Sequence, residues 1–128
     1  SVNESFARIA AAAFMAPLDP SLTELSDVKT AVSEAVTNAV IHGYCQYPGD
    51  VTMTAHIDGD VLTISVSDEG IGIEDVAKAR QPFYTTWAGD ERSGMGFTVM
   101  ETFMDAVEVA SSERGTTVTM TKRVKGLR

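Results

Sequence analysis

A single cysteine, Cys45, stands in the chain, so no internal disulfide can staple the fold, a pattern that suits a reducing compartment. Long apolar runs are missing as well. Ile9 to Ala16, among the longest, falls far short of the roughly 20 residues a membrane helix needs. No stretch joins a charged lead to an apolar middle and a small-residue cleavage site, so a soluble, unexported protein without a membrane partner is predicted. Basic residues are scarce: 10 Lys and Arg against 18 Asp and Glu give a formal net charge of −8. That balance excludes the basic surface with which a nucleic-acid binder displaces counterions. No lysine and hydroxyl follow a glycine loop as in a Walker site, and no third glycine completes a dinucleotide fingerprint. What remains is a chain of 128 residues with 44% hydrophobic content, enough for one core, and a single domain over 1–128 is predicted.

The most informative stretch is Ser33 to Gly43, SEAVTNAVIHG. At helical pitch, Glu34, Asn38 and His42 fall on successive turns beside an apolar stripe of Val32, Ala35, Val36, Ala39 and Val40. A carboxylate and a carboxamide on such a helix are costly to bury without partners, so the row either lines a polar pocket or is a solvated edge. His42 has no second histidine or cysteine at metal-ligand spacing and reads as structural.

Around this helix the elements follow in order. Ser1 and Glu4 have capping-box spacing, and Phe6, Ile9, Ala10, Ala13 and Phe14 recur at helical intervals until Pro17, giving a helix over Val2 to Ala16. Ser21 and Glu24 form a second capping box for the long helix ending near Gly43, before a loop over Tyr44 to Asp50. Val51 to Ile57 and Leu62 to Val66 alternate about Asp58-Gly59, an antiparallel hairpin. A short helix over Glu74 to Arg80 and an irregular lid over Phe83 to Ser93 come next. A helix over Phe97 to Met104 follows, with Val99, Met100 and Phe103 as core residues, then strands at Ala106 to Ala110 and Thr116 to Lys122. The basic tail Lys122 to Arg128 reads as a frayed, solvated terminus. Helices with antiparallel hairpins predict an α+β fold, a two-layer sandwich with helices on one face of the sheet.

Two glycine turns carry the candidate chemistry. Asp68 ends a strand before Gly70 and Gly72, where a carboxylate can accept from an exocyclic amine such as that of adenine and the bare glycines let a ring or phosphate approach. Alone this is a weak signal, since an acidic glycine turn can simply end a strand. Gly94-Met95-Gly96 opens a helix, and successive N–H groups there suit phosphates, although an ordinary loop has the same form. With phosphates at Gly94 and Gly96, the Asn38 oxygen becomes a suitable Mg2+ ligand and Glu34 a base for an attacking hydroxyl. Arg92 is placed to balance charge on a transferred phosphoryl group. Thr85 and Thr86 in the lid join the candidate nucleotide-binding set.

In this order, Glu34-x-x-x-Asn38, Asp68-x-Gly70-x-Gly72, Gly94-x-Gly96 and Gly115-Thr116-Thr117 resemble the motifs of the ATPase superfamily that joins gyrase, the ninety-kilodalton heat-shock chaperone, histidine kinases and mismatch-repair ATPases. SEAVTNAVIHGY and ERSGMGFTVMETFMD are similar to the anti-sigma factor serine kinases of that group, sporulation type. The resemblance implies the Bergerat ATP-binding fold, with Asp68 on the adenine amine, Thr117 supporting it, Asn38 on magnesium and Glu34 as base. It further implies a homodimer in the bacterial cytoplasm that binds ATP or ADP. Such a dimer holds a sigma factor away from polymerase and phosphorylates a serine of an anti-anti-sigma protein. The alternatives are a general-stress anti-sigma kinase or a non-catalytic, nucleotide-gated binding module. Such proteins begin with an edge strand, which is expected to be missing ahead of Ser1.

Overall fold

The computed structural model describes residues 2–40, 49–70 and 96–126. Helix α1 (Val2–Met15) passes through a 3-10 turn (Ala16–Leu18) into helix α2 (Leu22–Asn38). Strands β1 (Val51–Asp58) and β2 (Val61–Asp68), helix α3 (Gly96–Phe103), and strands β3 (Ala106–Ser112) and β4 (Gly115–Arg123) complete the described chain. The expected helix end at Gly43, the helix over Glu74 to Arg80 and the lid over Phe83 to Ser93 lie outside the described residues, as do Cys45 and His42.

The second capping box forms as its sequence predicts. Ser21 Oγ accepts from the Glu24 N–H at 3.1 Å and Glu24 Oε1 accepts from the Ser21 N–H at 3.0 Å. Glu24 does more than cap. Its carboxylate also accepts from the backbone N–H groups of Lys125 (2.7 Å) and Gly126 (2.9 Å), while Val124, fully buried, donates its N–H to Asp60 O at 2.8 Å. The basic tail expected to fray is therefore held through Gly126: three consecutive N–H groups have partners, so the backbone has no reason to peel away.

The four strands form an antiparallel sheet in the order β1-β2-β4-β3. Gly59, at φ 63°, opens the tight turn that pairs Asp58 with Val61. Alternation sends Leu62, Ile64 and Val66 of β2 and Val118 and Met120 of β4 into the core, with Met15, Val28, Val32 and Met100 from the helices. The other face of β2 and β4 carries hydroxyls that pair across strands, Ser65 with Thr119 (3.1 Å) and Ser67 with Thr117 (2.9 Å). The architecture is the α+β sandwich anticipated from the sequence.

Helix α1 departs from the expected picture in the face it buries. Ala7, Ala11 and Met15 are inside, whereas Phe6 (71%), Ile9 (65%) and Phe14 (41%) are exposed. Past Arg8 the helix is apolar throughout, Ile9 to Met15, so periodicity locates it without choosing its buried side. Ser1 of the first expected capping box lies outside the described residues, and the Glu4 carboxylate accepts from Ser33 Oγ and, at 3.4 Å, Thr37 Oγ1 on α2.

Candidate functional site

Two segments far apart in sequence meet where α2 ends and α3 begins. Asn38 is the last residue of α2, and past it the coil widens to a π turn at residues 39–40. Its carboxamide lies against Gly96, the first residue of α3. A Cβ built on Gly96 would stand 2.9 Å from Asn38 Nδ2, closer than real side chains come, and a tight 3.1 Å from Oδ1, so the carboxamide would have to move. Glycine is thus required there for Asn38 to occupy its position. Gly96 itself is buried.

Asn38 Nδ2 is buried and has no hydrogen-bond partner among the described residues. A buried amide left this way costs roughly 1–3 kcal/mol, a cost that a polar ligand removes. The carboxamide oxygen is a hard donor of the kind Mg2+ takes. Among the described residues no group of three or more His, Cys, Asp and Glu is placed to hold a metal. A metal here would therefore draw most ligands from bound phosphate and water, as Mg2+ does when it keeps one or two protein oxygens. Glu34 stands one turn before Asn38 on α2 and is half-buried.

At the far end of β2, Asp68 continues the inward row of Leu62, Ile64 and Val66. A carboxylate in that row is 9% exposed. Burial pushes its carboxyl above the usual aspartate range, while the Gly70 and Thr116 N–H groups pull the other way. The Gly70 N–H donates to Oδ1 at 2.9 Å. An ionised carboxylate accepts about four hydrogen bonds, so two bonds leave Asp68 capacity for an amine. An open depression of about 330 Å3 borders Asp68, Ser111, Arg114, Thr116 and Thr117.

Sheet register corrects one assignment. Thr116 faces Asp68 across the β2–β4 ladder and is buried with it, and its hydroxyl lies 2.8 Å from Ser111 Oγ. Thr117, expected beside Asp68, pairs with Ser67 and points its hydroxyl to Ser67 on the opposite face. The residue sharing the Asp68 face is Thr116. The signal was available: along β4, Thr116 has the parity of the inward Val118 and Met120.

Gly115 makes this approach possible. At φ 136° it holds a backbone that L side chains rarely adopt, and a Cβ there would stand 2.0 Å from the Asp68 carbonyl oxygen. Of the expected site residues, then, Asn38 and Gly96 are brought together, and Asp68 and Gly70 sit in one turn. Gly72, Thr85, Thr86, Arg92, Gly94 and Met95 lie outside the described residues. Arg114, on the turn between β3 and β4, borders the depression and was not singled out by the sequence.

A family model for the histidine kinase-like ATPase domain matches residues 2–122. A curated relative from Thermoanaerobacter sp. (strain X514), named anti-sigma F factor, is 58% identical over 125 residues, covering 97% of this chain and 87% of its own. Another of that name, from Clostridium perfringens (strain ATCC 13124), is 56% identical over 126 residues, covering 97% and 90%. Among solved structures, the RsbU and RsbW domains of a Mycobacterium tuberculosis protein superpose with a TM-score of 0.67 at 23% identity, over 95% of this chain and 29% of that one, a likeness of fold.

Proposed function

This chain belongs to the histidine kinase-like ATPase domain family and, within it, to the anti-sigma F factors, and from that premise we propose that it is an ATP-dependent protein serine kinase and anti-sigma factor. It sequesters a sporulation-type sigma factor and phosphorylates a serine of an anti-anti-sigma protein. The observation that carries the nucleotide site is the Asn38 carboxamide, packed against Gly96 with Nδ2 buried and unpartnered among the described residues.

In this reading Asn38 offers its oxygen to Mg2+ and Asp68 accepts the adenine amine, with Thr116 beside it. Magnesium, when bound, neutralises phosphate charge and holds the triphosphate for transfer. Binding of the phosphates is assigned to the N–H groups of Gly94, Met95 and Gly96, and Gly70, Gly72, Thr85 and Thr86 are assigned to the nucleotide-binding set. Glu34 takes the proton of the attacking serine hydroxyl as its oxygen bonds to the terminal phosphorus and ADP leaves. Arg92 balances the charge that accumulates on the transferred group. Specificity for serine, Mg2+ as the metal, the anti-anti-sigma substrate, the homodimer and a cytoplasmic location are all part of this proposal. The exposed Phe6, Ile9 and Phe14 of α1 supply an apolar surface for a second copy, so sedimentation is expected to give a dimer that Phe6→Asp weakens; a parent monomeric at all concentrations removes the dimer.

The deciding experiment incubates the protein with γ-labelled ATP and a candidate anti-anti-sigma partner, beside Glu34→Ala. Label is expected on a partner serine, with transfer in the variant lower by a factor on the order of 10² or more. Nucleotide binding without transfer to any partner would leave a nucleotide-gated binding module in place of a kinase.

A further inference from the structure

Glu4 is on the first turn of α1, a helix that contributes none of the residues assigned above to the nucleotide site. Its carboxylate nevertheless reaches α2 at the segment that carries them, accepting from Ser33 Oγ and from Thr37 Oγ1. Ser33 and Thr37 are one turn apart, and each directly precedes a site residue, Glu34 and Asn38. The two pairs form neighbouring rows on α2, offset by about 100° round the helix axis.

Two donors one turn apart on a single carboxylate restrain a helix in two ways, against rotation about its axis and against sliding along it. One donor alone leaves one of these free. The remaining buried residues on the Glu4 side of α1 include Ala7 and Ala11, whose small side chains make shallow ridges and set register weakly. Met15, fully buried, anchors the far end of α1, so over the first turns of α1, where only alanines face α2, the polar contact is the register-setting element.

We propose that Glu4 is a positioning residue of the nucleotide site: by holding the Ser33 and Thr37 hydroxyls it sets the angle and height of the α2 turn that presents Glu34 and Asn38, and so the seat of the Asn38 carboxamide against Gly96. The inference rests on the nucleotide-site reading for its consequence, though the hold of α1 on α2 does not. Removing either hydroxyl or the second carboxylate oxygen lets that turn shift and leaves the carboxamide misplaced for its ligand.

Three conservative variants test it: Glu4→Gln, which keeps the shape but offers one acceptor oxygen, Ser33→Ala and Thr37→Val. In nucleotide-free 15N-labelled protein, the side-chain amide resonances of Asn38 are expected to move in all three, while the amide of Met120 in β4 stays in place. The factor by which Mg2+ tightens ATP binding is expected to fall roughly tenfold in Glu4→Gln, with Mg2+-free affinity within about twofold of the parent. Unmoved Asn38 resonances, or equal losses of affinity with and without Mg2+, would overturn the proposal and leave Glu4 as a packing residue. Moved resonances in variants of a parent that binds ATP equally well with and without Mg2+ would support the positioning role and sink the nucleotide reading instead.

Discussion

Asp68 is a residue whose energetics run against the fold and toward a ligand. Burial raises its carboxyl above the ordinary aspartate range. For an acid this means that the ionised form destabilises the folded state: the penalty is absent below the unfolded aspartate pKa and complete once pH exceeds the raised folded value. Asp68→Asn keeps an acceptor for the Gly70 N–H, so the ligand-free variant is expected to melt above the parent at pH 7. That advantage should disappear as pH falls below the aspartate range; a variant less stable than the parent at pH 7 would contradict it. The same change is expected to weaken ATP binding by about tenfold or more while affecting GTP less, because a charged acceptor on the exocyclic amine is lost. Equal losses for both nucleotides would mean that Asp68 does not read the base.

The residue scale also shows where sequence reasoning slipped by one position. The approach of Asn38 to Gly96 and the turn from Asp68 to Gly70 follow from the order of the motifs, although each turn alone is ambiguous. Two adjacent threonines are chemically identical, and only strand parity separates them. Thr116→Val is expected to weaken ATP binding several-fold, and Thr117→Val, on the far face with Ser67, to leave it within about twofold. Paired equilibrium titrations check this, and the reverse order would return the role to Thr117.

Among the elements, α2 is anchored at the end away from the site. Burial pushes the Glu24 carboxyl up, but the N–H groups of Ser21, Lys125 and Gly126, with the Ser21 hydroxyl, outweigh it and hold the group below the ordinary glutamate range. A depressed acid contributes stability that is present above the unfolded glutamate pKa and lost as pH falls through the lower folded value. Glu24→Ala is expected to cost about 2 kcal/mol at pH 7, from several hydrogen bonds to one partly exposed charge. The difference from the parent should shrink in acid, as measured by urea unfolding at both pH values. A cost that persists unchanged at pH 2 would assign the effect to packing.

Helix starts were legible at this scale because a capping box is local: Ser21 and Glu24 stand three residues apart. The tail was not. Nothing near Lys125 or Gly126 in the sequence signals that their N–H groups meet the oxygens of Glu24, a hundred residues earlier. The exposed face of α1 was hidden for another reason, since its second half, Ile9 to Met15, is apolar all round and carries no information about which side packs. The hydroxyl face of the sheet, in contrast, follows directly from the alternation in β2 and β4.

For the whole molecule, what matters is that the fold closes α2 and α3 onto each other, so that residues from distant parts of the chain share one polar corner. The order of the motifs made this convergence readable, since each glycine turn alone is ambiguous and the four motifs in sequence are not. A carboxamide held against a bare glycine, with its nitrogen buried, is a poor way to finish a core and a suitable way to receive a ligand. The most direct test is calorimetric titration of ATP into the parent and Asn38→Ala, each with and without Mg2+. The account predicts that Mg2+ tightens ATP binding by roughly tenfold or more in the parent and has little effect in the variant. The same Mg2+ dependence in both proteins would contradict it.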